Sequence, residues 1–383
     1  MDAQFVWFRT LIVRVFILLL SFIIILYSCE FQNNGKGNPE EPLRLLWEYP
    51  YDFKGYGPHS APEVIHDSLI IMAGDENISC LYQETGKLKW KTKVAENNSA
   101  SMRNILFNDN SLYGWQDRVG IMTWDIHTGK ELWNYKFNDG DFVTRFTAIS
   151  DHSYILPAFN DTMNWYWSFN NDGSINYKKR IRGTAWSITY RNNKLFTGQG
   201  WHQGSNGVGR ITCFNSANGD SLWSYDTKFG GFFQVKTVIE NGILYCGTVY
   251  GHPNSVVVAL DLETGKELWT HGSFPCHGLL LEGNLLFSNS SLDLYAINKY
   301  NGEMVWSTRL TGGDDENNSI AYFDGYIYHP HSGYLFILKA ETGEIVYKLR
   351  SPDKSWVYKV STGAGKVFVQ SGRHLYAYAP YGS

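Results

Sequence analysis

Apolar residues recur at every second position in short runs, and each run stops at a polar turn holding one glycine. The clearest stretch is Val256-Val-Val-Ala-Leu-Asp-Leu-Glu-Thr-Gly-Lys-Glu-Leu-Trp269, and Ile121 to Trp133 repeats it. Period-two alternation on both sides of a glycine turn predicts a strand, a tight turn and a second strand. Seven copies end in an aromatic ring, at Trp90, Trp133, Tyr177, Trp223, Trp269, Trp306 and Tyr347. Four residues before each ring stands a glycine: Gly86, Gly129, Gly173, Gly219, Gly265, Gly302 and Gly343. Glycine supplies the positive φ that such a turn requires. The rings follow one another at 37 residues (Trp269 to Trp306) to 46 residues (Trp223 to Trp269). Self-similarity at this period marks a repeat architecture.

Six residues before the glycine, five copies carry a small side chain: Cys80, Thr123, Cys213, Ala259 and Ala296. A small residue there leaves room for a ring to dock from a neighbouring unit. The third and seventh copies depart, with Trp167 and Ile337, and both end in Tyr rather than Trp. Two further short alternating runs fit between copies, as in Gly278–Ser288 and Leu292–Asn298. Four antiparallel strands per unit of about 40 residues read as a β-propeller blade. His374–Ala379 looks like the first half of a copy, and Arg44-Leu-Leu-Trp47 supplies a matching second half. The expectation is therefore an all-β, eight-bladed propeller of four-stranded blades. Its ring is closed by the N-terminal strand pairing into the last blade, which hides two strand edges.

Composition agrees. Aromatics make up 16% and charged residues 18%, against the high charge and few aromatics of disordered chains. The formal net charge is −4, with no dominant basic patch, so nucleic acid is not an expected partner. Residues 1–28 stand apart. Arg9 and Arg14 precede the apolar run Val15–Leu26, an n-region and h-region of a signal peptide. Leu26-Tyr27-Ser28-Cys29 resembles the lipobox of bacterial lipoproteins, which implies cleavage before Cys29 and lipid on that cysteine. Residues 29–42 read as a flexible polar tether, and 43–383 as the propeller.

The unit small-x-Asp-x-x-x-Gly-Lys-x-x-Trp resembles the quinoprotein repeat, the tryptophan-docking motif of PQQ-type propellers. In that resemblance the rings Trp47, Trp90, Trp133, Trp223, Trp269 and Trp306 and the glycines Gly86, Gly129, Gly219, Gly265, Gly302 and Gly343 are structural docking positions. One branch of the family comprises dehydrogenases that bind PQQ and calcium. The other comprises the BamB-like lipoproteins of outer-membrane assembly, which bind no cofactor. The lean blades, the lipid signal and the absence of adjacent cysteines look like the second. That branch implies a non-enzymatic scaffold anchored to the membrane by lipid in the cell envelope, at the outer membrane, with envelope proteins or unfolded outer-membrane chains as partners. The alternatives are a PQQ-dependent dehydrogenase, its quinone stacked on Trp186 or Trp201, and a propeller binding carbohydrate or another small ligand.

No nucleophile elbow, catalytic carboxylate pair or zinc signature stands out, and no catalytic residue is assigned. Cys80, Cys213 and Cys246 read as buried small side chains, and Cys276 as a loop thiol worth testing for reactivity. His329-Pro-His331 puts two imidazoles on one strand face, but no further metal ligand is evident. The loops that share one rim carry the candidate binding residues Trp186, Trp201, His202, Phe233, His252, His277 and Trp356. The Gly-rich insert Gly198–Arg210 reads as a loop presenting Trp201 and His202, and Asp314-Asp315-Glu316 as a solvated acidic loop.

Overall fold

The alternating runs are strands. The computed structural model describes residues 43–383, apart from 52–60, 67, 75–76, 95–101, 109, 117–119, 137–141, 144–147, 150–152, 161–162, 204–205, 228–236, 250–254, 273–274 and 313–318. By internal contacts the chain falls into two units, and Arg44–Pro380 forms the larger. Its described strands form eight antiparallel sheets. In chain order they are blade 1 (63–93), blade 2 (102–136), blade 3 (142–181), blade 4 (184–226), blade 5 (238–272), blade 6 (278–309), blade 7 (321–350) and blade 8 (357–378 with 45–50). Contacts between neighbouring sheets run mostly through first and second strands, so the first strands stand innermost and the fourth outermost.

Seven sheets are four-stranded, one fewer than the repeat count leads one to expect. Blade 3 has a fifth strand. Its innermost position is split into Phe142–Val143 and Ala148–Ile149, and both pieces pair with the long strand Ser153–Asn160. Blade 8 is a composite. Leu45–Pro50 pairs antiparallel with His374–Tyr378, with Trp47 opposite Ala377. This sheet contacts both neighbours: Ser319 Oγ of the segment entering blade 7 donates to Val360 O at 2.9 Å, and a Cβ on Gly363 would fall 2.5 Å from Val64 of blade 1.

The aromatic at the end of each copy does two things at once. It lies across its own sheet, and its edge reaches the next one. Trp269 pairs with Ala259 and meets Tyr245 of the second strand at 5.9 Å between ring centroids. Trp223 meets Phe196 and Trp306 meets Phe287, both at 5.9 Å, and Trp47 meets Phe368 at 5.8 Å. The small third-strand residue therefore makes room for the ring of its own blade, not for a neighbour's ring as the spacing suggested. The glycine is what faces the neighbour. A Cβ on Gly86, Gly129, Gly265 or Gly343 would sit 2.5 Å from Trp47, Trp90, Trp223 or Trp306, and one on Gly302 would sit 2.6 Å from Trp269. Gly219 takes the side chain of Tyr177 in the same way.

The indole N–H groups of Trp47, Trp90, Trp223, Trp269 and Trp306 each donate to a backbone carbonyl of the next blade. Trp47 bonds Gln83 O at 2.8 Å, Trp90 bonds Ile126 O at 3.0 Å, Trp269 bonds Lys299 O at 3.0 Å and Trp306 bonds Ala340 O at 2.9 Å. Tyr177 Oη does the same to Ser216 O at 2.8 Å. A bulge between third and outer strands sets this aim. Ala259 pairs with Trp269 but Leu260 pairs with Glu267, so Leu268 is skipped and turned out, 48% exposed.

The third copy is not the departure it seemed. Its turn is one residue shorter: Gly173 N–H bonds Asn170 O, three residues back, where Gly265 N–H bonds Asp261 O, four back. Ser168, a small residue, therefore stands opposite Tyr177, and Trp167 is displaced by one position. The seventh copy does differ, with Ile337 opposite Tyr347.

Two glycines with nearly equal φ separate strain from close approach. Gly265 (φ +70°) lies against Trp223, whereas Gly242 (φ +78°) would give a Cβ nothing within 4 Å. Urea unfolding should show Gly242→Ala costing about 1 kcal/mol, from the left-handed backbone alone. Gly265→Ala should cost about 3 kcal/mol or more, because the displaced indole adds an overpacking penalty. Equal losses would remove the ring contact from this account.

Candidate functional site

Antiparallel pairing sorts the connections onto two faces. The docking turns and the hairpins between first and second strands share one face. The hairpins between second and third strands, with the segments leading into each next blade, share the other. Of the rim residues named from sequence, His277 and Trp356 and the backbone positions of Trp186, Trp201 and His202 lie toward this second face.

Trp356 is the rim aromatic that the structure presents most plainly. It lies in the segment entering blade 8 and is 55% exposed. Its indole rests on Gly333, where a Cβ would fall 3.1 Å from the ring. Its backbone is pinned as well. Gly372 N–H donates to Trp356 O at 3.0 Å, and Val357 N–H donates to Gly333 O at 3.3 Å.

Asp353 fixes this segment from beneath. Its carboxylate accepts from Ser351 Oγ at 2.7 Å, Ser355 N–H at 3.0 Å, Ser355 Oγ at 2.7 Å, Ser371 Oγ at 3.1 Å and His374 Nδ1 at 3.0 Å. These partners join the entering segment to the hairpin between second and third strands of blade 8. The His374 ring stacks on Tyr376 at 5.4 Å. Burial alone would raise the pKa of Asp353, but bonds from His374, Ser351 and Ser355 together outweigh it and hold the carboxyl well below its usual range. The hub was not anticipated. Its sequence trace is Ser351-x-Asp353-x-Ser355, in which a carboxylate can accept from residues two positions to either side.

The other described rim positions stand on other blades. His277 is largely buried in blade 6, where its N–H donates to Asn289 O at 2.9 Å and its Nε2 lies 3.3 Å from Ser291 Oγ. Trp186 is not in a loop. It is the bulged residue of the first strand of blade 4, between Ala185 opposite Gln199 and Ser187 opposite Gly198. Trp201 and His202 are not in a loop either. The Gly-rich insert is an extension of a hairpin, with Trp201 opposite Val208 and His202 opposite Gly207. Glycine frequency suggested a loop, but residues 198–203 pair with 206–211. Phe233, His252, Asp314, Asp315 and Cys29 lie outside the described residues.

The described thiols are all buried and free of disulfides. Cys276, expected in a loop, has its Sγ where a Cβ on Gly247 would be, at 2.4 Å, and accepts from Ser288 Oγ at 3.1 Å. Burial pushes its thiol up to about 12, and those of Cys80 and Cys213 likewise. A thiol held so high is inert. His329 and His331 are core residues with rings 6.3 Å apart, and His329 Nδ1 lies 2.9 Å from Ser319 O. Among the described residues no group of three His, Cys, Asp or Glu could hold a metal.

Asp353 links the seat of Trp356 to pH. Its folded carboxyl is the more acidic, so its contribution is complete above the unfolded value near 3.9 and is lost as pH falls through the folded one. Asp353→Asn should cost about 1–3 kcal/mol at pH 7. It should also flatten the fall in stability below about pH 4. Unfolding midpoints of both proteins between pH 3 and 7 check this, and parallel pH curves would contradict it.

A family model described as outer membrane protein assembly factor BamB matches residues 44–159 and 157–322. BamB of Shewanella oneidensis is 23% identical over 258 residues, covering 66% of this chain and 62% of its own length. BamB of Kangiella koreensis is 23% identical over 186 residues, covering 45% of this chain and 44% of its own. The chain thus spans about half of the length of these curated relatives. The quinoprotein alcohol dehydrogenase PedH of Pseudomonas putida is 32% identical over 105 residues, 23% of this chain and 17% of the relative. The solved structure of BamB from Moraxella catarrhalis superposes with a TM-score of 0.68 at 13% identity, covering 88% of this chain and 100% of that one, which shows a shared fold. The docked aromatics and the match across most of the ring lead to one statement: the chain belongs to the BamB family of quinoprotein-type β-propellers.

Proposed function

We propose that the protein is a non-enzymatic scaffold of the cell envelope that holds partner proteins during outer-membrane protein assembly. The observation that carries this reading is the BamB family match over 44–159 and 157–322. The rim supports it. An exposed indole on a seat fixed by Gly333, Gly372 and Asp353 is the kind of preorganised aromatic that anchors protein interfaces. In this reading Trp356 inserts into an apolar pocket of the partner, and the Asp353 hub keeps the segment from having to order on binding.

The anchor belongs to the same proposal. Residues 1–28 act as a signal peptide, Cys29 carries lipid, and residues 29–42 tether the ring to the outer membrane. The membrane is then a partner through lipid alone.

The match to PedH raises a quinone cofactor with calcium as a second reading. Such a site, as the resemblance implies, sets an aromatic platform against a pair of adjacent cysteines. The described cysteines do not fit it. Cys80, Cys213, Cys246 and Cys276 are separate in sequence, and each is packed in the protein interior. The proposed scaffold works without a cofactor.

Two measurements test the proposal. A photo-crosslinking amino acid at Trp356 should capture outer-membrane assembly proteins in whole cells, while the same group at Ile175, on the outer strand of blade 3, should not. Trp356→Ala should abolish co-purification of those proteins with the chain and shift stability by no more than about 1 kcal/mol, as for an exposed side chain. Labelled palmitate should enter the full chain and be lost in Cys29→Ser. No capture at Trp356, or label that persists in Cys29→Ser, would refute the corresponding half.

A further inference from the structure

One groove between blades lacks a plug that its neighbour has. On the docking-turn face, the residue whose carbonyl receives the indole N–H also turns its side chain into the groove between two blades. Between blades 5 and 6 this residue is Lys299: Trp269 donates to its carbonyl, and its own N–H bonds Asn284 O at 3.1 Å. Between blades 6 and 7 it is Ala340: Trp306 donates to its carbonyl, and its N–H bonds Gly325 O at 2.8 Å. The two positions are equivalent.

Their surroundings match as well. Lys299 crosses the groove to form an ion pair with Glu240, and its side chain is only 5% exposed. Its ammonium lies 5.3 Å from the centre of the Tyr300 ring. Glu240 ends the first strand of blade 5, opposite Ile243. Glu282 ends the first strand of blade 6 in the same way, opposite Leu285. With Ala340 in place of lysine, Glu282 makes no ion pair among the described residues. A pocket of about 540 Å³ opens there instead, bounded by Glu282, Asp324, Glu341, Tyr322, Tyr326 and Ala340. Pockets of a few hundred Å³ hold small ligands or a side chain with its flanks. Glu341 follows Ala340 as Tyr300 follows Lys299, so a second carboxylate takes the place of the ring that faces the ammonium. Lys339, at the pocket edge, is engaged with Glu344 at 2.5 Å.

We propose that the groove between blades 6 and 7 is a binding site for an alkylammonium group, as carried by a lysine side chain, which enters where Lys299 enters the preceding groove. The protein contains its own example of the bound state. The ammonium would meet Glu282 and Glu341, and its methylene chain would lie along Tyr322 and Tyr326. The site is on the face opposite Trp356, and it stands whether or not the scaffold reading holds.

The test uses the full chain in detergent and a fluorescein-labelled tri-lysine peptide, read by anisotropy. The wild type should bind with one site per chain. Glu282→Gln and Ala340→Lys should each weaken binding at least tenfold, the second by supplying an internal plug. Lys299→Ala should open the preceding groove and raise the stoichiometry to two. The acetylated peptide should not bind. Displacement by 1,5-diaminopentane at concentrations similar to unlabelled tri-lysine would identify free amines as the source, and a need for far higher concentrations would identify polypeptide lysines. Absence of binding to the wild type, unchanged binding by Ala340→Lys, or equal binding of the acetylated peptide would overturn the proposal. Ala340→Lys keeps the groove's backbone and pairs Glu282, so its loss of binding with an unchanged unfolding midpoint cannot be put down to misfolding.

Discussion

An aromatic ring laid over a glycine of the next sheet is the joint on which this ring of blades depends. Strand pairing holds each blade together, but it cannot hold one blade to another, because the sheets meet face to face. The outer-strand aromatic solves this with a single side chain. Its face covers a small third-strand residue and touches a second-strand aromatic, as Trp269 does over Ala259 and against Tyr245. Its edge meets the glycine of the next blade, and its N–H satisfies a carbonyl there. Each requirement fixes a residue type, so the repeat is visible in sequence at all. The skipped residue of the bulge is the by-product, which is why Leu132, Leu222, Leu268 and Val305 are exposed.

The same joint leaves the two faces free for different uses. On the docking-turn face, one position per junction is fixed in backbone but free in side chain. Gln83, Ile126, Ser216, Leu262, Lys299 and Ala340 all occupy it. Gln83 is spent on structure, donating to His66 O at 2.9 Å, and Lys299 on an ion pair. Ala340 is spent on neither, and a pocket results. On the opposite face, Asp353 ties the segment entering blade 8 to the hairpin between its second and third strands, and in doing so holds Trp356 outward.

What was legible in the sequence follows from this division. Local and repeated features were readable: the strand–turn–strand unit, the rings, the docking glycines, and the pairing of Arg44–Trp47 with the last half-copy. Features set by one-residue shifts were not. A fixed offset from glycine lands on Trp167, whereas the shorter turn of blade 3 puts Ser168 opposite Tyr177. Composition misled at the Gly-rich insert, where glycines lie in a paired hairpin. Burial was not readable at Cys276 and His277, which do lie in the segment entering blade 6 but are covered there. The Asp353 hub joins positions 351 and 374 across a hairpin, and the Ala340 pocket has meaning only when successive grooves are compared. Neither could be found from residue spacing alone.

The most direct test of the functional account is to purify the full chain from its own envelope in mild detergent and identify by quantitative mass spectrometry what stays bound. The account expects outer-membrane assembly proteins to be enriched over a control envelope protein, and the enrichment to disappear with Trp356→Ala. Recovery of the chain with no such proteins, or enrichment indifferent to Trp356, would contradict it.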